Sequence, residues 1–238
     1  MTSASTLPAN SLHVPESEFG KWFLGTETWK IHVLERALGD LERLMPDRRQ
    51  LSPVILDAGC GWGRSFRLLG KRFAPCRIVG VDICPEMIAA SNTEAQRENF
   101  PVELHCADCA HLPLADESVD ILLCHQTFHH LVAQHETLEE FHRVVRRGGL
   151  LLFAESTRAY IHSWIIRLLF RHPMHVQKDA AEYIDMIRQA GFRIDVGAIS
   201  YPYLWWSRPD MGLIERLFGT KPARGHPETL VNLVAVRT

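Results

Sequence analysis

Between Val54 and Arg64 the chain reads Val-Ile-Leu-Asp-Ala-Gly-Cys-Gly-Trp-Gly-Arg, an apolar run that meets a carboxylate and passes into three glycines at alternate positions. At the first strand-to-helix turn of an open parallel sheet, glycines let the backbone approach a ligand closely and leave N–H groups free to bind it. The spacing over Gly59, Gly61 and Gly63 is G-x-G-x-G, and Arg64 stands where a dinucleotide fingerprint would carry its third glycine. Asp57, two residues before the first glycine, puts a negative charge where a cation is better suited than a pyrophosphate. Asp82 follows Val79-Gly-Val, 19 residues after Gly63, the distance at which an acid ending the second strand accepts both hydroxyls of a ribose. Asp108 follows the next strand-like run. Asp82 and Asp108 each also read as loop aspartates capping a helix.

These residues need a scaffold that brings successive strand ends together. The sequence alternates strand and helix patterns: Pro53 to Ala58 (strand), Gly63 to Phe73 (helix), Cys76 to Val81 (strand), Pro85 to Asn99 (helix), Val102 to Cys106 and Val119 to Cys124 (strands), Leu138 to Arg146 (helix) and Leu150 to Ala154 (strand). Runs such as Val-Asp-Ile-Leu-Leu-Cys are nearly continuous in apolar residues, as expected of parallel strands covered by helices on both faces. A doubly wound α/β fold follows. Helical spacing also covers Phe19 to Leu44, Tyr160 to Phe170 and Ala180 to Ala190, and final strands are expected over Phe192 to Ser200 and Leu230 to Val236.

With 238 residues, 46% apolar and 23% charged, the chain suits one domain with a core large enough to fold unaided. Its formal charge of -2 is spread along the sequence without basic runs, which argues against nucleic acid as a partner. The six cysteines lie mostly in or beside strand-like runs and show no disulfide framework. Met1 to Pro15 lacks the pattern of an export signal, and apolar stretches are shorter than the roughly 20 residues of a membrane span. Cytoplasmic localisation without stable membrane insertion is the expectation; oligomeric state is left open.

Leu-Asp-Ala-Gly-Cys-Gly-Trp-Gly, Val-Gly-Val-Asp, Cys-Ala-Asp-Cys-Ala-His-Leu-Pro and Asp-Ile-Leu-Leu-Cys-His-Gln together resemble the successive motifs of class I S-adenosylmethionine (SAM) methyltransferases of the small-molecule type, over residues 50 to 155. The resemblance implies a Rossmann-like, mainly parallel seven-stranded sheet with a reversed last strand. It implies SAM as cofactor, with its methionine part against Asp57, Gly59, Gly61 and Gly63 and its ribose on Asp82. Ile83 and Met87 would pack on the adenine, Asp108 would sit near its amino group, and Cys60, Cys109, His125 and Gln126 would complete the cofactor pocket. Trp22 belongs to a segment similar to the leader helix that folds over SAM, although Trp22 and Trp29 also read as core. On this reading residues 1–18 form a flexible leader and residues 19–238 one SAM-binding domain, with lid elements at about 19–44, 157–178 and 201–220.

Methyl transfer is an in-line displacement at a carbon already activated by sulfonium, so alignment and exclusion of water matter most. His129 and His130, after the fourth strand, are candidate bases, or side chains that simply pack and hydrogen-bond. Tyr203, with Tyr201, Trp205 and Trp206, could surround a sulfonium or a substrate ring, or plug the sheet edge. Cys106-Ala-Asp-Cys109 has the spacing of half a zinc site, but no second pair follows, so no metal is expected. The activity expected is methyl transfer to a small-molecule metabolite or secondary-metabolism intermediate. Two alternatives share the pocket: cyclisation of the aminobutyrate arm of SAM to azetidine-2-carboxylate with release of methylthioadenosine, as in similar synthases, or SAM binding without catalysis.

Overall fold

The computed structural model describes residues 14, 16–46, 51–202, 217–219 and 227–238. Helical segments run over Glu18–Leu24 (α1), Glu27–Trp29 (α2), Glu35–Leu44 (α3), Phe66–Phe73 (α4), Pro85–Ala95 (α5), Gln134–Val144 (α6), Arg158–Ile161 (α7), Trp164–Leu169 (α8) and Ala180–Gln189 (α9). The strands are Val54–Ala58 (β1), Arg77–Asp82 (β2), Val102–Cys106 (β3), Val119–His125 (β4), Val145–Ser156 (β5), Phe192–Arg193 (β6), Ile199–Ser200 (β7) and Leu230–Arg237 (β8). They form one sheet in the order β3-β2-β1-β4-β5-β8-β6, with β7 also on β8. β1 to β5 pair in parallel, and β8 runs antiparallel to β5, from Leu150↔Val236 to Ser156↔Leu230.

Period-two alternation divides the core. Ile121 and Leu123 pack on one face with Leu34, Leu38, Leu41, Phe66 and Leu69, whereas Leu122 and Cys124 pack on the other with Phe141, Tyr183 and Ile187. α3 and α4 thus cover one side and α6 and α9 the other, which is the doubly wound, Rossmann-like arrangement expected, with its last long strand reversed.

Local chemistry sets the helix ends. Asp179 caps α9 in a full capping box with Glu182, and Pro85 opens α5. Three expected elements are interrupted. The helix over Phe19 to Leu44 breaks at Gly25, restarts where the Thr26 hydroxyl accepts from Trp29 N–H, and passes through a π-helical stretch at Lys30–Leu34. The helix over Tyr160 to Phe170 is two pieces, α7 and α8, meeting at His162-Ser163. The strand over Phe192 to Ser200 is reduced to β6 and β7, because Gly197 at φ +88° turns the chain between them.

Phe153 of β5 stands edge-on to Phe128, with centroids 5.3 Å apart, and to Tyr183 at 5.5 Å, all three fully buried. Phe153→Ala should therefore cost about 3–5 kcal/mol in denaturant unfolding, since the ring fills space its neighbours cannot reclaim. A loss under 1 kcal/mol would show that this layer repacks.

Candidate functional site

The turn after β1 is built by hydrogen bonds to β2. Gly59 and Cys60 N–H donate to the Val81 carbonyl at 2.8 and 2.9 Å, and Gly61 N–H donates to Asp82 Oδ2 at 2.9 Å. The other oxygen of Asp82 accepts from Cys84 N–H at 2.9 Å, so one carboxylate fixes both strand-end turns. Gly59, at φ +78°, has Thr127 so close that a Cβ would lie 2.2 Å from its side chain. Gly61, at φ +49°, faces open space with Met87 Sδ 3.9 Å away. Only glycine meets both conditions without strain.

These turns open on a cavity of about 1260 Å³. Among the expected cofactor residues, Asp57, Gly59, Cys60, Gly61, Asp82, Ile83, Met87, Asp108, Cys109, His125 and Gln126 line it. Gly63 lies behind, against Phe66 and Ser91. Trp22 is 64% exposed beside Phe19 and is not brought to the cavity; Trp29 and Trp62 supply the aromatic walls instead. The reason is the break at Gly25, which leaves Trp22 and Trp29 on separate helices. Tyr203, Trp205 and Trp206 lie outside the described residues. Asp108 also serves its own loop, accepting from Ala110 N–H at 2.9 Å.

Asp57 is 3% exposed, and its charge is uncompensated: among the described residues no basic side chain stands within ion-pair distance of it, and only the Ser65 hydroxyl donates to it. Burial pushes its pKa up to about 7, the Ser65 bond opposes the rise, and neighbouring Asp82 adds to it. His125, pushed down to about 3 by burial and by His129, is neutral, and its Nε2 has no partner among the described residues. Trp62 Nε1–H is likewise buried and unpartnered. A buried carboxylate on the cavity with no basic partner among the described residues suits a cationic ligand.

Of the catalytic candidates, Tyr203 lies outside the described residues, and His129 and His130 stand with their ring centroids 4.2 Å apart. His130 lines the large cavity, while His129 is 3% exposed and faces a second cavity of about 70 Å³ that also touches His130 and His172. His129 Nδ1 meets Glu155 Oε2 at 2.6 Å, and Glu155, wholly buried, accepts from Thr127 and Phe128 N–H at 2.7 and 2.6 Å through its other oxygen. Glu155 and His172 are additions to the expected set. A lone carboxylate closing the apolar run Leu150 to Ala154 was the signal for Glu155; nothing local marks His172. Gln126, at φ +52°, is held by Ser156 Oγ–H, which donates to its Oε1 at 2.6 Å.

Residues 56–153 match the family model described as a methyltransferase domain. A malonyl-[acyl-carrier protein] O-methyltransferase of Laribacter hongkongensis is 33% identical over 130 residues, 51% of this chain and 44% of that protein. The chain spans about half the length of the curated relatives it matches. Among solved structures, a chain of the complex between the Haloferax volcanii Trm112 methyltransferase activator and a methyltransferase covers 92% of this chain and 95% of its own, at 22% identity and TM-score 0.67. The [4+2]-cyclase SpnF covers 85% and 81% at 17% identity and TM-score 0.61. At these identities the likenesses carry the fold. The methyltransferase-domain match implies SAM as cofactor, and the buried Asp57 carboxylate on the cavity suits a cation such as its sulfonium.

The sign of the Asp57 effect is testable. A carboxyl whose pKa is about 7 in the fold and 3.8 when exposed favours folding while protonated, so that contribution is lost as pH rises from about 4 through 7. Asp57→Asn should raise the stability of the ligand-free protein at pH 8 by about 1–3 kcal/mol, with no gain at pH 3.5. The same variant should lose affinity for SAM, and wild-type affinity should fall as pH drops from 8 to 6. Calorimetry showing pH-independent binding would overturn the assignment of Asp57.

Proposed function

We propose, from the premise that residues 56–153 form a domain of the class I S-adenosylmethionine-dependent methyltransferase family, that the chain transfers a methyl group to a small-molecule acceptor held in the same cavity. The observation that carries the reading is the bare, buried Asp57 carboxylate on a cavity whose roughly 1260 Å³ exceeds the 300–1,000 Å³ typical of a single ligand. An acceptor has room beside the cofactor, which favours transfer between two molecules over cyclisation of SAM alone.

When bound, SAM supplies a methyl group on a sulfonium, already activated for displacement. The chain's own work is alignment. Asp57 offers the anion for the cationic end, and Asp82, by holding Gly61 and Cys84 N–H, keeps the cradle shaped for the ribose. Ile83 and Met87 provide apolar faces for the base, and Asp108 an acceptor near it. His125 and Trp62 line the wall, and Trp29, T-stacked on His125 at 5.5 Å, helps close it from water. His130 and Gln126 line the wall nearest the small cavity, where an acceptor would meet protein polar groups. No general base is required for an acceptor that is already nucleophilic.

Incubation of the purified chain with SAM and pooled metabolites should yield S-adenosylhomocysteine only when an acceptor is present. Methylthioadenosine formed from SAM alone would replace this reading with cyclisation, and release of neither thioether from bound SAM would leave a binding protein. Gly61→Val should lower SAM affinity at least 100-fold in calorimetry while circular dichroism stays native, because the added carbons point into the cavity. Unchanged affinity would refute the cradle.

A further inference from the structure

We propose that His129, His130 and His172, with Glu16 beside them, form a binding site for a first-row divalent cation of the zinc class. One ring nitrogen from each imidazole lies within 4.8 Å of the others. The ring centroids are 4.2, 5.1 and 4.7 Å apart in the three pairs. Three imidazoles gathered this closely, from two segments 42 residues apart in sequence, are a donor set suited to zinc, iron, cobalt or nickel rather than magnesium or calcium. Tetrahedral coordination at metal–nitrogen lengths of about 2.0–2.1 Å sets ligand nitrogens roughly 3.3 Å apart, so binding draws the three rings together by up to about 1.5 Å, with His130 and His172 moving toward the held His129.

The surroundings carry the second layer that metal sites use. Glu155 Oε2 holds His129 Nδ1 at 2.6 Å, which leaves Nε2 as the ligating atom and fixes the plane of the ring. Gln177 donates its side-chain N–H groups to the His129 carbonyl at 2.7 Å and the Pro173 carbonyl at 2.9 Å, tying the segment that carries His172 to the turn that carries His129 and His130. Glu16 is anchored through Oε1 by Ser17 and Arg171 N–H, at 2.6 and 3.0 Å. Its Oε2 stands 3.9 Å from His130 Nε2, placed to add an oxygen ligand. All four side chains border the cavity of about 70 Å³, which has room for an ion with a water, and Glu16 and His130 also line the large cavity. A cation here borders the acceptor space; the site itself does not depend on the methyl-transfer reading.

Cysteine spacing alone leads to the expectation of no metal; the histidine cluster is assembled by the fold. Among the described residues the cysteines form no such group. A purely structural role for the rings, packed around Glu155, predicts no stoichiometric ion.

Co²⁺ titrated into chelator-treated, full-length protein should give visible d–d absorption that saturates at one equivalent and is displaced by Zn²⁺. His172→Ala, at a half-buried position outside the large cavity, should weaken binding at least tenfold while keeping the native circular dichroism and SAM affinity. Glu155→Gln should weaken it about 10–100-fold. Should that variant fail to fold, His172→Ala alone decides. Absence of saturable binding up to 100 molar equivalents of Co²⁺, or equal binding by His172→Ala, would overturn the proposal. Loss of SAM binding with intact Co²⁺ binding would count against the cofactor reading and leave the metal site standing.

Discussion

One hydrogen-bonded carboxylate shapes the business end of this sheet. Asp82 sits at the tip of β2 and receives Gly61 N–H from the neighbouring turn and Cys84 N–H from its own. All three glycines of that turn have positive φ, and the turn leans on β2 through two further bonds to Val81. Without an anion at this point the two loops would have no common anchor, and the cavity they frame would lose its floor. The arrangement carries an electrostatic cost. Asp57 lies buried near the same charge and is driven toward its neutral form. A local conflict of this kind is where a ligand's own charge can resolve what the chain does not.

The legible parts were those encoded by short-range pattern. The glycine turn, the acids at the strand tips and the apolar runs of β1, β2, β4 and β5 lie within a few residues of one another, and strand alternation assigns their faces directly. Their assembly into a parallel sheet with a reversed strand came from the order of elements and the motif resemblance. What escaped was set by contacts across long stretches of chain. Glu155 meets His129 over 26 residues, and Gln177 reaches His129 over 48. No periodicity brings such pairs together; the crossover of β5 and the return of the 172–177 segment do.

Other departures have local causes that compete with helical spacing. The apolar pattern of residues 19 to 44 runs unbroken, yet a glycine followed by a capping threonine stops and restarts the helix, separating two tryptophans that a single helix would have brought into one register. The strand over 192 to 200 fails because Gly197 in a left-handed conformation turns the backbone within it. Both breaks relocate side chains rather than alter the fold. Trp29 and Trp62 line the cavity.

β8 follows every other strand in chain order, yet it lies inside the sheet, paired along seven positions with β5 and flanked on its other side by β6 and β7. During synthesis the edge of β5 therefore stays open until nearly the whole described chain has left the ribosome, and α3, whose Asp40 accepts from Asn232 at 2.8 Å, waits for the same strand. Until residues 230–237 have been made, a long apolar edge of the sheet stays unpaired and open to pairing with another chain.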